Sequence, residues 1–492
     1  MPAPVSPPPP APVAPPVAAA VPLRGGAGPS DVAAAASLPG ALPVLPEVIQ
    51  QLRLQVAEDV RVARAERGQG RIEPGEEEEL AKVFAHRRVA QWHADFALSN
   101  PPLVRDQLNL VRDEVLNLTF RAGALQRLLD QPGVENIDID GPRMFVDAAG
   151  QPRRLVTSPF ATDQQTEDWV NAMAAQSGHG ERQLSYSSPW VDFRLPDGSR
   201  VAANRLATRI TVSIRKHSPS SSHLAKLMEL GTIDPLISAF LAACVKARMN
   251  IFVCGGMSAG KTTLMRALAR EIPASERLVT IESDRELYLD TEDTPAHVLA
   301  FEARQSNGEQ GAAGSVSVAD LVPVALRYNA DRIMVGEVRG VEAFAMLDAM
   351  LASNPGSMCT LHAQHPTQVI NRLVLLLSMA GLPDSTGYRL IEGAVDIVVY
   401  LEKKPAAQPG QEGRRVVSHI WEVAGLGEGG GVAMNQLFAP RAGDGRAVPT
   451  MTPMTEVRSQ LLENEGGFDR RLRAHYPHGM WPAEADTERR AS

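Results

Sequence analysis

Residues Asn250–Arg270 read NIFVCGGMSAGKTTLMRALAR, and this stretch decides the fold. The apolar run Ile251 to Cys254 predicts a short buried strand, and Thr262 to Arg270 has helical composition with no breaker. Between them Gly255, Gly260, Lys261 and Thr262 satisfy G-x-x-x-x-G-K-[ST]. Glycines let a backbone wrap a phosphate so that successive N–H groups point at its oxygens. The expected nucleotide cradle is Gly255, Gly256, Met257, Ser258, Ala259, Gly260, Lys261, Thr262 and Thr263. Lys261 is expected to reach the β- and γ-phosphates and the Thr262 hydroxyl to sit on Mg²⁺. The helix beginning there adds the positive end of its dipole to the same anion. A glycine-rich turn after a buried strand needs no nucleotide, but such a turn would not need Lys261 and Thr262 in this register. A nucleotide phosphate and Mg²⁺ are therefore the expected ligands.

At 492 residues the chain exceeds one ordinary core, and two or three domains are expected. Composition is globular, 44% hydrophobic and 22% charged, with a net charge of −8. That balance argues against a surface covered in basic nucleic-acid contacts. Cys244, Cys254 and Cys359 stand far apart with no metal spacing, which fits a reducing compartment. The start, MPAPVSPPPPAPVAPP, lacks a basic n-region, and no stretch approaches about 18 uninterrupted apolar residues. The expectation is a soluble, cytoplasmic protein that meets a membrane through partners.

Residues 1–46 are roughly one-third proline, with only Arg24 and Asp31 charged, and read as a disordered tail. Residues 47–112 are helical in texture, and the acidic run Glu76 to Glu79 opens one helix. Residues 113–217 read as a mixed α+β domain, with turn signals at Asp140-Gly141, Ala149-Gly150 and Pro196-Asp197-Gly198. Its end is rich in arginine: Arg194, Arg200, Arg205, Arg209 and Arg215. Residues 218–223, SPSSSH, read as a hinge linker, 224–446 as an α/β nucleotide domain and 447–492 as a C-terminal extension. Within it, Met451 to Ser492 is charged, helical at first and then frayed, with no chemistry legible in it.

Three later clusters narrow the purpose of the phosphate loop. RLVTIESDRELYLD, Arg277 to Asp290, is a strand-like run followed by acids, and carboxylates at a strand's C-terminal end face the ligand crevice of an α/β sheet. Glu282 and Glu286 could there hold the Mg²⁺ shell or the attacking water. ADRIMVGEVRG, Ala330 to Gly340, places Glu337 just past a buried strand, where an acid suits a Walker B role, holding Mg²⁺ directly or through water or orienting the attacking water, while Arg339 could touch phosphate or pair with an acid. GSMCTLHAQHP, Gly356 to Pro366, would bring His362 to the same sheet edge. A lone histidine is more often a structural hydrogen-bonding residue than a catalyst.

Taken in order, VENIDIDG, DFRLPDGSRV, the phosphate loop, the acidic box, LRYNADRIMVGEVRG and GSMCTLHA resemble the type II/type IV secretion-system ATPases. The nearest likeness is to the CpaF/TadA-type ATPases of tight-adherence (Flp) pilus assembly, from about Asp113 to Asp444. The resemblance implies a C-terminal RecA-like P-loop NTPase domain preceded by a PAS-like mixed α+β domain. It also implies a homo-hexamer on the inner face of the cell membrane, bound to platform proteins of a pilus or secretion machine and acting on pilin or secreted substrates indirectly. By match, Glu286 takes the place of the acidic-box catalytic glutamate, Glu337 of the Walker B glutamate and His362 of the histidine-box residue. Arg209 and Arg215 are similar to arginines that reach the nucleotide, and Arg194, Arg200, Arg304 and Arg327 fall where relatives carry arginine.

The chain departs from the family in three places. Ser283 replaces the aspartate of TIED, with Asp284 beside it. Met257 and Ala259 replace a threonine and a serine of the loop, and Gln364 stands for the asparagine of HANSP. Lys261, Thr262, Glu286, Glu337 and His362 all remain, so an active ATPase is expected. Two rival classes stay open: a conjugative or nucleic-acid-translocating motor, and a nucleotide-binding scaffold that does not hydrolyse ATP.

Overall fold

A computed structural model describes residues 44–66, 74–148, 151–177, 183–216, 222–290, 294, 296–304, 315–352, 354–405 and 413–481. The proline-rich tail as far as residue 43, the turn at Ala149-Gly150, most of the linker and residues 482–492 lie outside them. The chain divides into two compact units, one up to Val115 and one from Leu116 onward.

In the first unit the helices Pro46–Glu66 and Pro74–Phe96 pack together. Ile49, Leu52, Val56 and Val60 are buried on one, and Ala81, Ala85 and Val89 on the other. These are the three- and four-residue spacings of a single helical stripe. Arg88 holds Asp59 across the pair through two hydrogen bonds of 2.7 and 2.6 Å.

The second unit contains two sheets. The smaller is formed by β1 (Val134–Asp140), β2 (Arg143–Ala148), β3 (Arg154–Thr157), β4 (Trp190–Arg194), β5 (Arg200–Asn204) and β6 (Thr211–Arg215). Its order is β3-β2-β1-β6-β5-β4, antiparallel throughout. Strict alternation buries one face: Ile137, Ile139, Met144, Val146, Val191, Phe193, Val201, Ala203, Val212 and Ile214 are all inside. The other face is polar, and its pairing places Arg194 opposite Arg200 and Arg200 opposite Arg215. Three arginines thus stand in one row across β4, β5 and β6.

The larger sheet comprises β7 (Ile251–Gly255), β8 (Arg277–Glu282), β9 (His297–Glu302), β10 (Arg332–Val338), β11 (Met358–His362), β12 (Ile397–Lys403), β13 (Arg415–Leu426), β14 (Val432–Pro440) and β15 (Ala447–Pro449). Its order is β15-β14-β13-β12-β7-β11-β10-β8-β9. The six strands from β12 to β9 run parallel, and β13, β14 and β15 extend the sheet antiparallel. Apolar residues on both faces, including all five of β7, follow from helices covering each side. One face carries helices Pro235–Lys246 and Lys261–Ala269, the other Glu342–Ala352 and Val369–Met379.

The C-terminal extension is more ordered than its charge suggested. β15 pairs with β14, and a helix follows over Glu456–Asn464. Leu462 and Phe468 enter the core beside Phe240, with the Phe240 and Phe468 rings edge to face at 5.5 Å. Trp481 Nε1 donates to the Ala447 carbonyl at 3.0 Å, and Met480 N to Asp234 Oδ2 at 2.5 Å. Leu462 and Phe468, with Met454, Leu472, Met480 and Trp481 packed against the same core, anchor the charged segment, because apolar side chains remove a large area from water. Phe468→Ala is expected to lower the stability of the second unit by about 3 kcal/mol, read as a lower urea midpoint. An unchanged midpoint would mean that the extension lies outside the cooperative core.

Candidate functional site

The phosphate loop is shaped by crowding. Gly255 adopts φ 155°, and a Cβ there would lie 2.5 Å from the Leu401 carbonyl oxygen of β12. Only glycine fits between β12 and the loop. Ala259 is buried against Gly255, whereas Met257 is 83% exposed. Of the two unusual loop residues, one is packing and the other faces solvent. Gly260 caps the helix Lys261–Ala269, and Thr262 and Thr263 sit half-buried in its first turn. Lys261 Nζ donates to the Gly256 carbonyl at 2.9 Å. Its pKa is pulled down chiefly by burial and pushed back by Glu337 and Glu286. Both acids therefore project their fields onto the loop lysine.

The strand ends around the loop converge. His362 pairs with Gly255 in register, so the histidine box ends beside the start of the loop. β10 is irregular between Val335 and Val338, where Gly336 and Glu337 lie. Such irregularities re-aim side chains at a sheet rim. Arg339 grips Glu337 Oε2 through Nε at 2.9 Å and Nη2 at 2.6 Å. That bond and Glu337's charge raise the Arg339 pKa, with Glu286 and Asp284 adding to it.

Beyond β8 the residues carrying the acidic box form no helix or strand. Glu282, the last residue of β8, is 2% exposed, and its Oε1 accepts from Glu286 N at 2.9 Å and Leu287 N at 3.0 Å. Burial lifts its pKa to about 7 against the pull of those two N–H groups.

The arginine row faces these acids. Arg194 pairs with Glu302 of β9 through contacts of 2.5 and 3.2 Å. Arg200 bridges Asp284 and Glu286, the latter at 2.6 Å. Arg215 stands 3.9 Å from the same Glu286 oxygen. Their side chains are 15%, 33% and 64% exposed respectively, so solvent reaches Arg215 most.

Other expected residues lie elsewhere. Arg209 rests over the turn at Gly141, 2.9 Å from where a Cβ would stand. It precedes β6 while Arg215 ends it, and six residues of extended chain put about 20 Å between them. Arg327 is exposed on the short helix Leu326–Tyr328, and Arg304 is exposed beside Val316. Sequence reading overlooked β9, whose Glu302 is the partner of Arg194, and the backbone role of Glu282. An acid four residues before Glu286, ending a buried strand, was the available signal for the second.

Comparison with known proteins gives this edge its context. A family model described as "Type II/IV secretion system protein" matches residues 160–404. A protein of Mycobacterium tuberculosis named for conjugal transfer is 33% identical over 309 residues, 61% of this chain and 83% of its own length. The type IV secretion system protein PtlH of Bordetella pertussis is 33% identical over 290 residues, 53% of this chain and 83% of its own length.

The chain belongs to the type II/IV secretion system protein family.

Among solved structures of this kind, the VirB11 ATPase of the Brucella suis type IV secretion system is 25% identical, covering 61% of this chain and 92% of its own, with a TM-score of 0.32. The Legionella pneumophila ATPase DotB is 21% identical, covering 74% and 90%, with a TM-score of 0.45. The family assignment rests on the sequence matches. Within this family member, the matched segment runs from the N-terminal sheet through the phosphate loop to β12.

The Glu282 carboxyl gives the protein a pH signature. Its folded pKa of about 7 lies above the ordinary glutamate value of 4.5, so folding favours the protonated form. The stability it contributes is full below pH 4.5, declines as pH rises toward 7 and is absent above it. A shift of that size corresponds to about 3 kcal/mol. Relative to wild type, Glu282→Gln should therefore gain urea resistance steadily between about pH 5 and 7.5. A constant difference across that range would contradict a raised Glu282.

Proposed function

We propose that this chain is an ATPase motor that hydrolyses ATP to power protein secretion or pilus assembly. The observation that carries the reading is the meeting, at one edge of a parallel sheet, of the phosphate loop with Glu337, Glu286 and His362. The strand order supports a RecA-like core, with β11 inserted between the loop strand β7 and the Glu337 strand β10.

In this reading the N–H groups of Gly255 to Thr263 bind the phosphates. Lys261 turns from the Gly256 carbonyl to the β/γ oxygens. Among the described residues no three His, Cys, Asp or Glu side chains gather at a metal-sized site. The Thr262 hydroxyl and Glu337, the latter directly or through water, would hold Mg²⁺, whose charge would offset the negative charge developing on the phosphates. Glu286 or Glu337 orients the attacking water, and His362 stands beside the loop to hydrogen-bond at its rim. The row Arg194, Arg200 and Arg215 supplies positive charge from the preceding domain, closing the cleft. Arg209, Arg304 and Arg327 would serve a neighbouring subunit of a homo-hexamer rather than this cleft. A cytoplasmic location against inner-membrane platform proteins, the tight-adherence subtype and the domain limits at 46, 112, 217, 223 and 446 belong to the same proposal.

A conjugative motor is the second reading, favoured by the relative named for conjugal transfer; stimulation of turnover by DNA would select it. Lys261→Ala should abolish phosphate release at saturating ATP while leaving the fold intact, and unchanged turnover would overturn the ATPase reading. Arg215→Ala should lower turnover by about 10³-fold, the low end for an arginine that stabilises the transferring phosphoryl group. Normal turnover in that variant would remove Arg215 from the cleft.

A further inference from the structure

The acidic-box glutamate has no regular element to hold it. Residues 283–290 form neither helix nor strand, yet Glu286 must keep its carboxylate within reach of one atom in the cleft. Three features fix its backbone. Leu287 and Leu289 are buried on the side of the helix Lys261–Ala269. Arg285 N donates to Glu302 Oε1 at 3.4 Å, a long bond. The third is Glu282, whose single oxygen Oε1 receives the N–H of Glu286 itself and of Leu287.

Glu282 also touches the other acidic motif. A Cβ on Gly336 would lie 3.0 Å from Glu282 Cγ and 3.2 Å from Oε1. The glycine that precedes Glu337 is the residue that leaves room for this carboxyl. One buried side chain therefore ties the turn carrying Glu286 to the strand end carrying Glu337, although it reaches neither carboxylate.

We infer that Glu282 is a positioning residue for hydrolysis, setting the backbone of Glu286 through its Oε1 and the spacing between the Glu286 and Glu337 segments through its contact with Gly336. The inference rests on the ATPase reading for its kinetic consequence, but its geometry is independent of that reading. What the role requires is an oxygen acceptor of this length, not a negative charge, and this separates Glu282 from an acid that touches substrate.

Three variants of the full chain test it: Glu282→Gln, Glu282→Ala and Gly336→Ala. Phosphate release is measured against ATP concentration, and amide hydrogen exchange is followed over residues 283–289. Glu282→Ala should lower kcat about 10²-fold with little change in KM, the loss expected from misplacing a catalytic group by about 1 Å. Glu282→Gln, which keeps the acceptor oxygen, should recover most of that loss. Gly336→Ala, which crowds the carboxyl, should resemble Glu282→Ala. Exchange at Glu286 and Leu287 should quicken at least about tenfold in Glu282→Ala and stay near wild type in Glu282→Gln, as loss of one hydrogen-bonding group predicts. Equal kcat loss in the Gln and Ala variants, or unchanged exchange in Glu282→Ala, would overturn the inference. Should the wild-type protein release no phosphate, the ATPase reading fails and the exchange measurement still decides the role of Glu282. Should Glu282→Ala fail to fold, the comparison of Glu282→Gln with Gly336→Ala carries the same test.

Discussion

The Arg200 guanidinium, shared between Asp284 and Glu286, is the contact on which the arrangement of the site depends. It joins the polar face of an antiparallel sheet to the C-terminal edge of a parallel one. Three arginines in cross-strand register would repel one another on an isolated sheet. Here Glu302, Asp284 and Glu286 neutralise the row from across the cleft. Each sheet thus answers a charge problem in the other.

That pairing is also easy to exchange. Arg200, Asp284 and Glu286 are each about one-third exposed, and ion pairs in contact with water contribute about 0–1 kcal/mol each. In the proposed ATPase, phosphate oxygens entering the cleft would offer the same arginines bidentate partners of higher charge. A weak pair at this position lets the arginines change partner without unfolding either sheet. The more deeply buried Arg194, gripped by Glu302, is the fixed end of the row.

The motifs that were legible in the sequence are those whose chemistry is local. A buried strand ending in glycines, a strand ending in acids, and GEVRG each announce their own turn, and the structure sets Gly255, Glu337 and His362 on adjoining strand ends. Pairings distant in sequence were not legible. Glu302 sits on β9, whose edge position follows from its pairing with β8. Arg209 and Arg215 looked equivalent as neighbours in an arginine-rich run, yet a strand of extended chain separates them to opposite ends. Phe468 was hidden by the charges around it, since a single aromatic in the irregular stretch after a polar helix gives no periodic signal.

The anchoring of Met480 to Asp234 brings the last described residues beside the first helices of the nucleotide domain. Asp234 and Met480 are neighbours in space, although they stand 246 positions apart in the chain. Fraying from the C-terminal side would have to break this contact and the Trp481–Ala447 hydrogen bond before it reached Phe468 in the core.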